Sequence, residues 1–193
     1  TLESLFKHIG SITSLSPEAM KALQSILHVK TYAAGTILCK MDELPTQVYF
    51  IKSGFARGYA WSSKGTSYNR AIYTSNEFMA SLSALIQKKK AALALECLTE
   101  CETVETNFYD FIELGKKYPE IALIYSKVLE ENFIKLEVGN IQLATMSATE
   151  RYLALRKRIP RIDNYISQFH IASHLGITPI QLSRIRKGLL TSK

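Results

Sequence analysis

Apolar positions follow helical spacing at both ends of the chain and strand-like spacing between them. Residues 3–9 and 17–28 read as packing helices; in the second, Ser16 caps, Pro17 opens, and Met20, Leu23, Ile26 and Leu27 share one face. From Val29 the texture changes to short runs rich in β-branched and aromatic residues: VKTYA, TILCK, QVYFIKS, FARGYAW, SYNRAIYT and, after a gap, CETVETNF. Gly35, the DELP segment, Ser53-Gly54 and Ser62 to Gly65 punctuate them. Many short strands with close turns predict an antiparallel sandwich or jelly roll, not a parallel sheet. The segment NEFMASLSALIQKKKAALA, residues 76–94, is less regular and reads as an insertion with room for a short helix.

Helical spacing returns at residues 108–116 and over 118–146. In the longer helix Tyr125, Leu129, Asn132, Leu136, Gly139 and Leu143 recur with steps of three and four, which predicts a coiled-coil seam with Asn132 as a polar register residue. A second line, Ile121, Ile124, Val128 and Val138, faces the barrel in this reading. A helix with two apolar sides must bury both, so a homodimer is expected.

After Ser147 the segment ATERYLALRKRIP forms a capped basic helix that ends before Pro160. The stretch FHIASHLGITPIQLSRIRK, residues 169–187, then carries two helix signals in succession. Gly176 stops the first helix; Thr178, Pro179 and Gln181 supply cap, first turn and capping box for the second. The second helix sets Ile180, Leu182 and Ile185 among Ser183, Arg184, Arg186 and Lys187. Such a helix can anchor on its apolar side while guanidinium groups read guanine edges and hold phosphates.

Charge sharpens this assignment. The net charge is +7 over 193 residues. Residues 146–193 carry nine Lys/Arg against Glu150 and Asp163, so the entire excess lies there and the rest is neutral. That asymmetry is the electrostatic footprint of a nucleic-acid binder. No apolar run reaches the roughly 20 residues that cross a bilayer, and the N-terminal residues are no secretion signal, so a cytoplasmic location is expected. Cys39, Cys97 and Cys101 are too few for a disulfide scaffold and read as small buried residues. A metal-dependent barrel enzyme would need clustered histidines, and residues 29–108 contain none, so the chain is read as a non-enzyme.

Together these elements resemble the cyclic-AMP receptor protein and fumarate/nitrate-regulator (Crp/Fnr) family of transcription regulators. The resemblance is carried by VYFIKSGFARGYA around Gly54, by SATERYLAL, and most specifically by HIASHLGITPIQLSRIRK. It implies an α+β fold: an N-terminal antiparallel jelly-roll, cyclic-nucleotide-binding-like barrel with flanking helices over residues 1–117, a dimerisation helix over 118–146, and a C-terminal (winged) helix-turn-helix over 147–193. It also implies a homodimer on double-stranded DNA of near-palindromic sequence, with RNA polymerase as a further partner. Carried over by position, the DNA-contacting places fall on Thr178, Pro179, Ile180, Ser183, Arg184 and Lys187.

Cyclic-nucleotide binders of the family hold the ribose with Gly-Glu and the cyclic phosphate with Arg followed by a small hydroxyl residue. The corresponding places here are Asn76-Glu77 and Ala91-Ala92, with Lys90 beside them, and no Arg lies between Arg70 and Arg151. Cyclic AMP binding in the usual way is therefore not expected, because the charge-assisted bidentate bond is missing. The iron-sulfur branch needs four cysteines and the haem branch an axial ligand; neither is identifiable, so no cofactor is assigned and the effector is unknown. The alternative is a ligand-binding regulator acting through protein contact, with a degenerate DNA-binding domain.

Overall fold

The computed structural model describes residues 2–62 and 65–191. Lys193 of the charge count and the Ser63-Lys64 part of one predicted turn lie outside them. Helices α1 (Glu3–Gly10) and α2 (Pro17–Ser25) lead into β1 (His28–Tyr32), β2 (Ile37–Cys39), β3 (Gln47–Ser53), β4 (Ala56–Trp61), β5 (Ser67–Tyr73) and β6 (Glu77–Met79). Helix α3 (Leu82–Gln87) precedes β7 (Ala94–Cys97) and β8 (Cys101–Asn107). Helices α4 (Phe108–Lys117), α5 (Pro119–Thr145), α6 (Ala148–Arg158), α7 (Gln168–Leu175) and α8 (Pro179–Thr191) complete the order, with one 3-10 turn at Ile162–Asn164.

Two four-stranded antiparallel sheets, ordered β1-β8-β3-β6 and β2-β7-β4-β5, face each other as the predicted jelly roll. Their inner sides bury Tyr49, Ile51, Met79, Leu95 and all three cysteines. The irregular segment holds the expected short helix and also β6, and β7 begins at its last residue, Ala94. β6 has three residues and β7 four, too short for alternation to stand out, and each is secured by pairing with a longer strand. The second helix ends at Ser25, short of the expected residue 28, because His28 pairs with Glu105 in the sheet. At Gly54, with φ +95°, an added Cβ would lie 2.2 Å from the Glu100 carbonyl oxygen, so the β3–β4 turn requires glycine.

The outer face of the β1-β8-β3-β6 sheet, through Phe50 and Val104, packs against α1, α2 and the start of α5, where Ile121 and Ile124 are buried. The Ser16 hydroxyl donates to Glu120 (2.7 Å), tying the α2 cap to α5. A third core joins Tyr152, Leu155, Ile171, Leu175 and Leu182 of α6–α8 with Ile72 of the barrel. Among the described residues no strand follows α8, so a wing is not among them.

Candidate nucleic-acid interface and effector groove

The caps anticipated for α6 and α8 are both made. Ser147 and Glu150 form a capping box, and Thr178 and Gln181 another: Thr178 N–H donates to Gln181 Oε1 (2.8 Å), and Gln181 N–H to Thr178 Oγ1 (3.2 Å). Gly176 closes α7 in the left-handed conformation. Between these signals α8 is fixed with Leu182 fully buried and Ile185 and Leu189 against the same core. Its other side leaves Thr178, Ile180, Ser183, Arg184 and Lys187 exposed and Pro179 half-buried. The structure thus brings the six predicted DNA contacts onto one side of α8, over its first three turns.

Not all of the local positive charge faces outward. Arg186 turns inward to Asp163, with its Nε donating to the Tyr152 hydroxyl (3.2 Å), which itself donates to Asp163 (2.7 Å). Arg151 donates to the carbonyls of Met146 and Leu175, and Arg158 to the carbonyl of Ile72. These three arginines hold the domain together and to the barrel. The sequence count could not separate them from Arg184, because intrachain partners lie 5 to 86 residues away.

A polar seam between β5 and α7 was not anticipated. Asn69, fully buried, donates from its side chain to His170 O (3.0 Å), and its N–H donates to Ser173 Oγ (3.0 Å). Arg57 Nη1 donates to Asn69 Oδ1 (2.9 Å), while its Nε and Nη2 clamp Glu96 (2.9 and 2.6 Å). Two donors, from Arg57 and Asn69, meet His170 Nδ1 at 3.4 and 3.3 Å, so that nitrogen must be an unprotonated acceptor. The sequence carried no signal for this seam, because Asn69 and its partners on α7 lie more than 100 residues apart.

Burial, with Arg158 nearby, holds His174 down to about 4, and burial beside Arg57 lowers His170. Both are neutral in the fold, whereas an unfolded histidine titrates near 6.5. Depressed folded values mean that stability is fully present above about pH 6.5 and falls as pH drops toward 4. For His174 the loss is expected to reach on the order of 3 kcal/mol. Melting temperature between pH 7 and 4 checks this, and His174→Asn should flatten the slope.

The predicted effector residues are not gathered in one pocket. Asn76 sits in the β5–β6 turn at φ +66°, Ala91 is buried inside the barrel, and Lys90 is exposed. Glu77 and Ala92 line a groove of about 990 Å³ between the barrel and α5. The Glu77 carboxylate accepts from Thr74 N–H (2.9 Å) and pairs with Lys135 (3.3 Å) and Arg158 (3.5 Å), joining barrel, long helix and α6. The whole expected seam, Tyr125, Leu129, Asn132, Leu136, Gly139 and Leu143, lines that same groove. A different stripe, Ile134, Val138, Ile141 and Thr145, is exposed with steps of four, three and four. Of the predicted barrel-facing line, Ile121, Ile124 and Val128 do pack there, but Val138 is 45% exposed. Among the described residues no group of three or more His, Cys, Asp or Glu could hold a metal ion, and no helix is long and apolar enough to cross a membrane.

Residues 29–118 match the cyclic nucleotide-binding domain family. No curated protein gives a significant match. Among solved structures, FixK2 from Bradyrhizobium japonicum is similar at TM-score 0.75 and 18% identity, covering 86% of each chain. The c-di-GMP-responsive global regulator CLP of Xanthomonas campestris is similar at TM-score 0.71 and 16% identity, covering 92% of this chain and 93% of that one. A Crp/Fnr-family regulator from Eubacterium rectale gives 0.73 and 16%, covering 92% and 85%. At such identities the likeness is one of fold, and it extends from barrel to helix-turn-helix.

Proposed function

From a chain that carries a cyclic nucleotide-binding domain on the fold of the Crp/Fnr regulators, we propose a DNA-binding transcription regulator that acts as a cytoplasmic homodimer and is not an enzyme. The observation that carries this reading is the outer side of α8. A capped, basic helix is anchored through Leu182 on a core, with Ser183, Arg184 and Lys187 exposed beside its N-terminal turn. Arg reads a guanine edge through two bonds, Lys and the helix N-terminus hold phosphates, and Ser accepts or donates at either base. Ile180, 67% exposed, is suited to a thymine methyl group. A two-fold dimer sets two such helices about 34 Å apart in successive major grooves, which calls for a near-palindrome. RNA polymerase as a further partner rests on the resemblance alone.

Selection of bound sites from random duplex DNA, followed by Kd measurement across salt, tests the reading. Binding that weakens steeply with salt supports it, since each neutralised phosphate contributes about −0.9 to the slope of log K on log salt. Absence of binding at low salt would instead favour a regulator acting through protein contact.

The effector domain is proposed not to take cyclic AMP in the usual way. Its Glu77 carboxylate already serves Thr74, Lys135 and Arg158, and Ala91-Ala92 offer no guanidinium. A ligand at 100 times its Kd adds about 2.7 kcal/mol of stability. The melting temperature is therefore expected to stay unchanged in millimolar cyclic AMP, and a rise of several degrees would overturn the assignment.

A further inference from the structure

We propose that the groove between the barrel and α5 is an effector site for an amphipathic anion, an apolar body that ends in a carboxylate. Its volume of about 990 Å³ admits a drug-sized molecule. The walls are mostly apolar, through Phe78 of β6, Leu82 and Ile86 of α3, and Leu129, Leu136 and Leu143 of α5. Of these, Leu136, Ile86 and Leu143 are 47%, 52% and 56% exposed, so an apolar body seated there removes from water a surface that the chain itself leaves uncovered. A sugar in the same place would leave its hydroxyls unpaired against those side chains.

The charge of the lining is one-sided. Arg70, Lys135, Arg151 and Arg158 line the groove against one carboxylate, Glu77, which pairs with Lys135 (3.3 Å) and Arg158 (3.5 Å). Arg70 and Arg151 have no carboxylate partner among the described residues. Arg151 donates to the carbonyls of Met146 (2.6 Å) and Leu175 (3.1 Å), but its buried Nε has no hydrogen-bond partner. Arg70 is placed by a bulge. Tyr59 pairs with Asn69 and Gly58 with Ala71, so Arg70 is the extra residue of β5, and a bulge re-aims the side chain it carries. On α6, Arg151, Ala154, Leu155 and Arg158 line the groove with steps of three, one and three, so one face of that helix closes it with an arginine at each end.

In the complex the carboxylate takes the Arg70 guanidinium as a bidentate partner, and the apolar body lies along Leu129 and Leu136. Glu77 keeps Lys135 and Arg158. A cationic amphiphile of the same length meets a surplus of like charge, and an uncharged one forgoes the ion pair. The ligand touches β5 and α5 in a groove that α6 closes, so it favours the arrangement of barrel and output domain in which those three elements fit around it. Helix α6 passes that preference on, because its Leu155 shares a core with Leu182 of α8.

The test uses the whole chain and titration calorimetry, with decanoate below its micelle concentration as the probe and decanol and decyltrimethylammonium as controls. Expected is saturable decanoate binding, at least tenfold tighter than either control. Arg70→Ala should weaken it at least tenfold and Arg70→Lys by less. Leu136→Asp, which sets a carboxylate on the apolar wall, should abolish it while the circular-dichroism spectrum stays unchanged. DNA affinity, the one readout that rests on the regulator reading above, should change at least fivefold in saturating decanoate and stay constant in Arg70→Ala. Absence of decanoate binding, equal binding of the three amphiphiles, or binding indifferent to Arg70→Ala overturns the proposal, as does an unchanged affinity in a protein that does bind DNA. A monomer from Leu136→Asp overturns it as well, since the groove is then the dimer interface. Arg70-dependent decanoate binding in a protein that binds no DNA in either form upholds the site and defeats the regulator reading instead.

Discussion

Arg184→Ala combined with Lys187→Ala is expected to lower affinity for the selected DNA site by at least about 100-fold while the protein stays folded and dimeric. A well-placed bidentate arginine contributes roughly 1–3 kcal/mol of discrimination, and a dimer loses two such contacts along with two phosphate contacts. Both side chains are exposed on α8, and neither belongs to the core that includes Leu182. The salt slope should become shallower as well, by about 0.9 for each phosphate contact removed. Arg186→Ala is the informative contrast. Removing it leaves Asp163 with the Tyr152 hydroxyl and only a longer pair to Arg156 (3.6 Å), so it should depress the melting temperature first and DNA binding only as a consequence. Gel-shift titration and light scattering on the three proteins distinguish the outcomes. Loss of the dimer in the double variant, with DNA contacts otherwise intact, would sink the role given to these residues.

The helix-turn-helix was legible because its signals are local. A cap three residues before Gln181, a glycine in the left-handed turn and an apolar line through Leu182 and Ile185 need no knowledge of the rest of the molecule. The barrel was legible as a class, since six of its eight strands are long or β-branched enough to show; β6 and β7 exist only through pairing with β3, β4 and β2. Glu77 was assigned to an effector site by position along the chain. Its partners Lys135 and Arg158 lie 58 and 81 residues away, a relation that spacing cannot carry. The β5–α7 seam was hidden for the same reason, as a single buried Asn69 gives no hint of the histidines more than 100 residues later.

The coupling of barrel to output domain runs through few contacts. Glu77 links barrel, long helix and α6, while Phe55 and Asn69 meet the 3-10 turn region and α7. An effector acts only by favouring one arrangement of these contacts over another. Buried polar seams suit that task, because each bond lost without replacement costs about 1–3 kcal/mol and makes the arrangement nearly all-or-none.

The long helix offers a decisive experiment on assembly. Its two stripes lie differently: Leu129, Leu136 and Leu143 line the groove beside the barrel, while Ile134, Ile141 and Thr145 of the exposed stripe are not part of its lining and Val138 sits at its margin. Only a helix side free of its own barrel can receive a second copy along its length, and the outward stripe has the four-three-four spacing of a two-stranded seam. Ile141→Asp should therefore yield a monomer, since two facing carboxylates in a desolvated seam oppose association by several kcal/mol. DNA affinity should fall with it, by on the order of 1,000-fold, because the second half-site is no longer held at high effective concentration. Leu136→Asp, on the groove side, should leave the dimer intact. Sedimentation velocity at micromolar concentration reads both variants. A monomer from Leu136→Asp and a dimer from Ile141→Asp would return the interface to the stripe of Tyr125, Leu129, Asn132, Leu136, Gly139 and Leu143, and would require the groove to open to admit the partner helix.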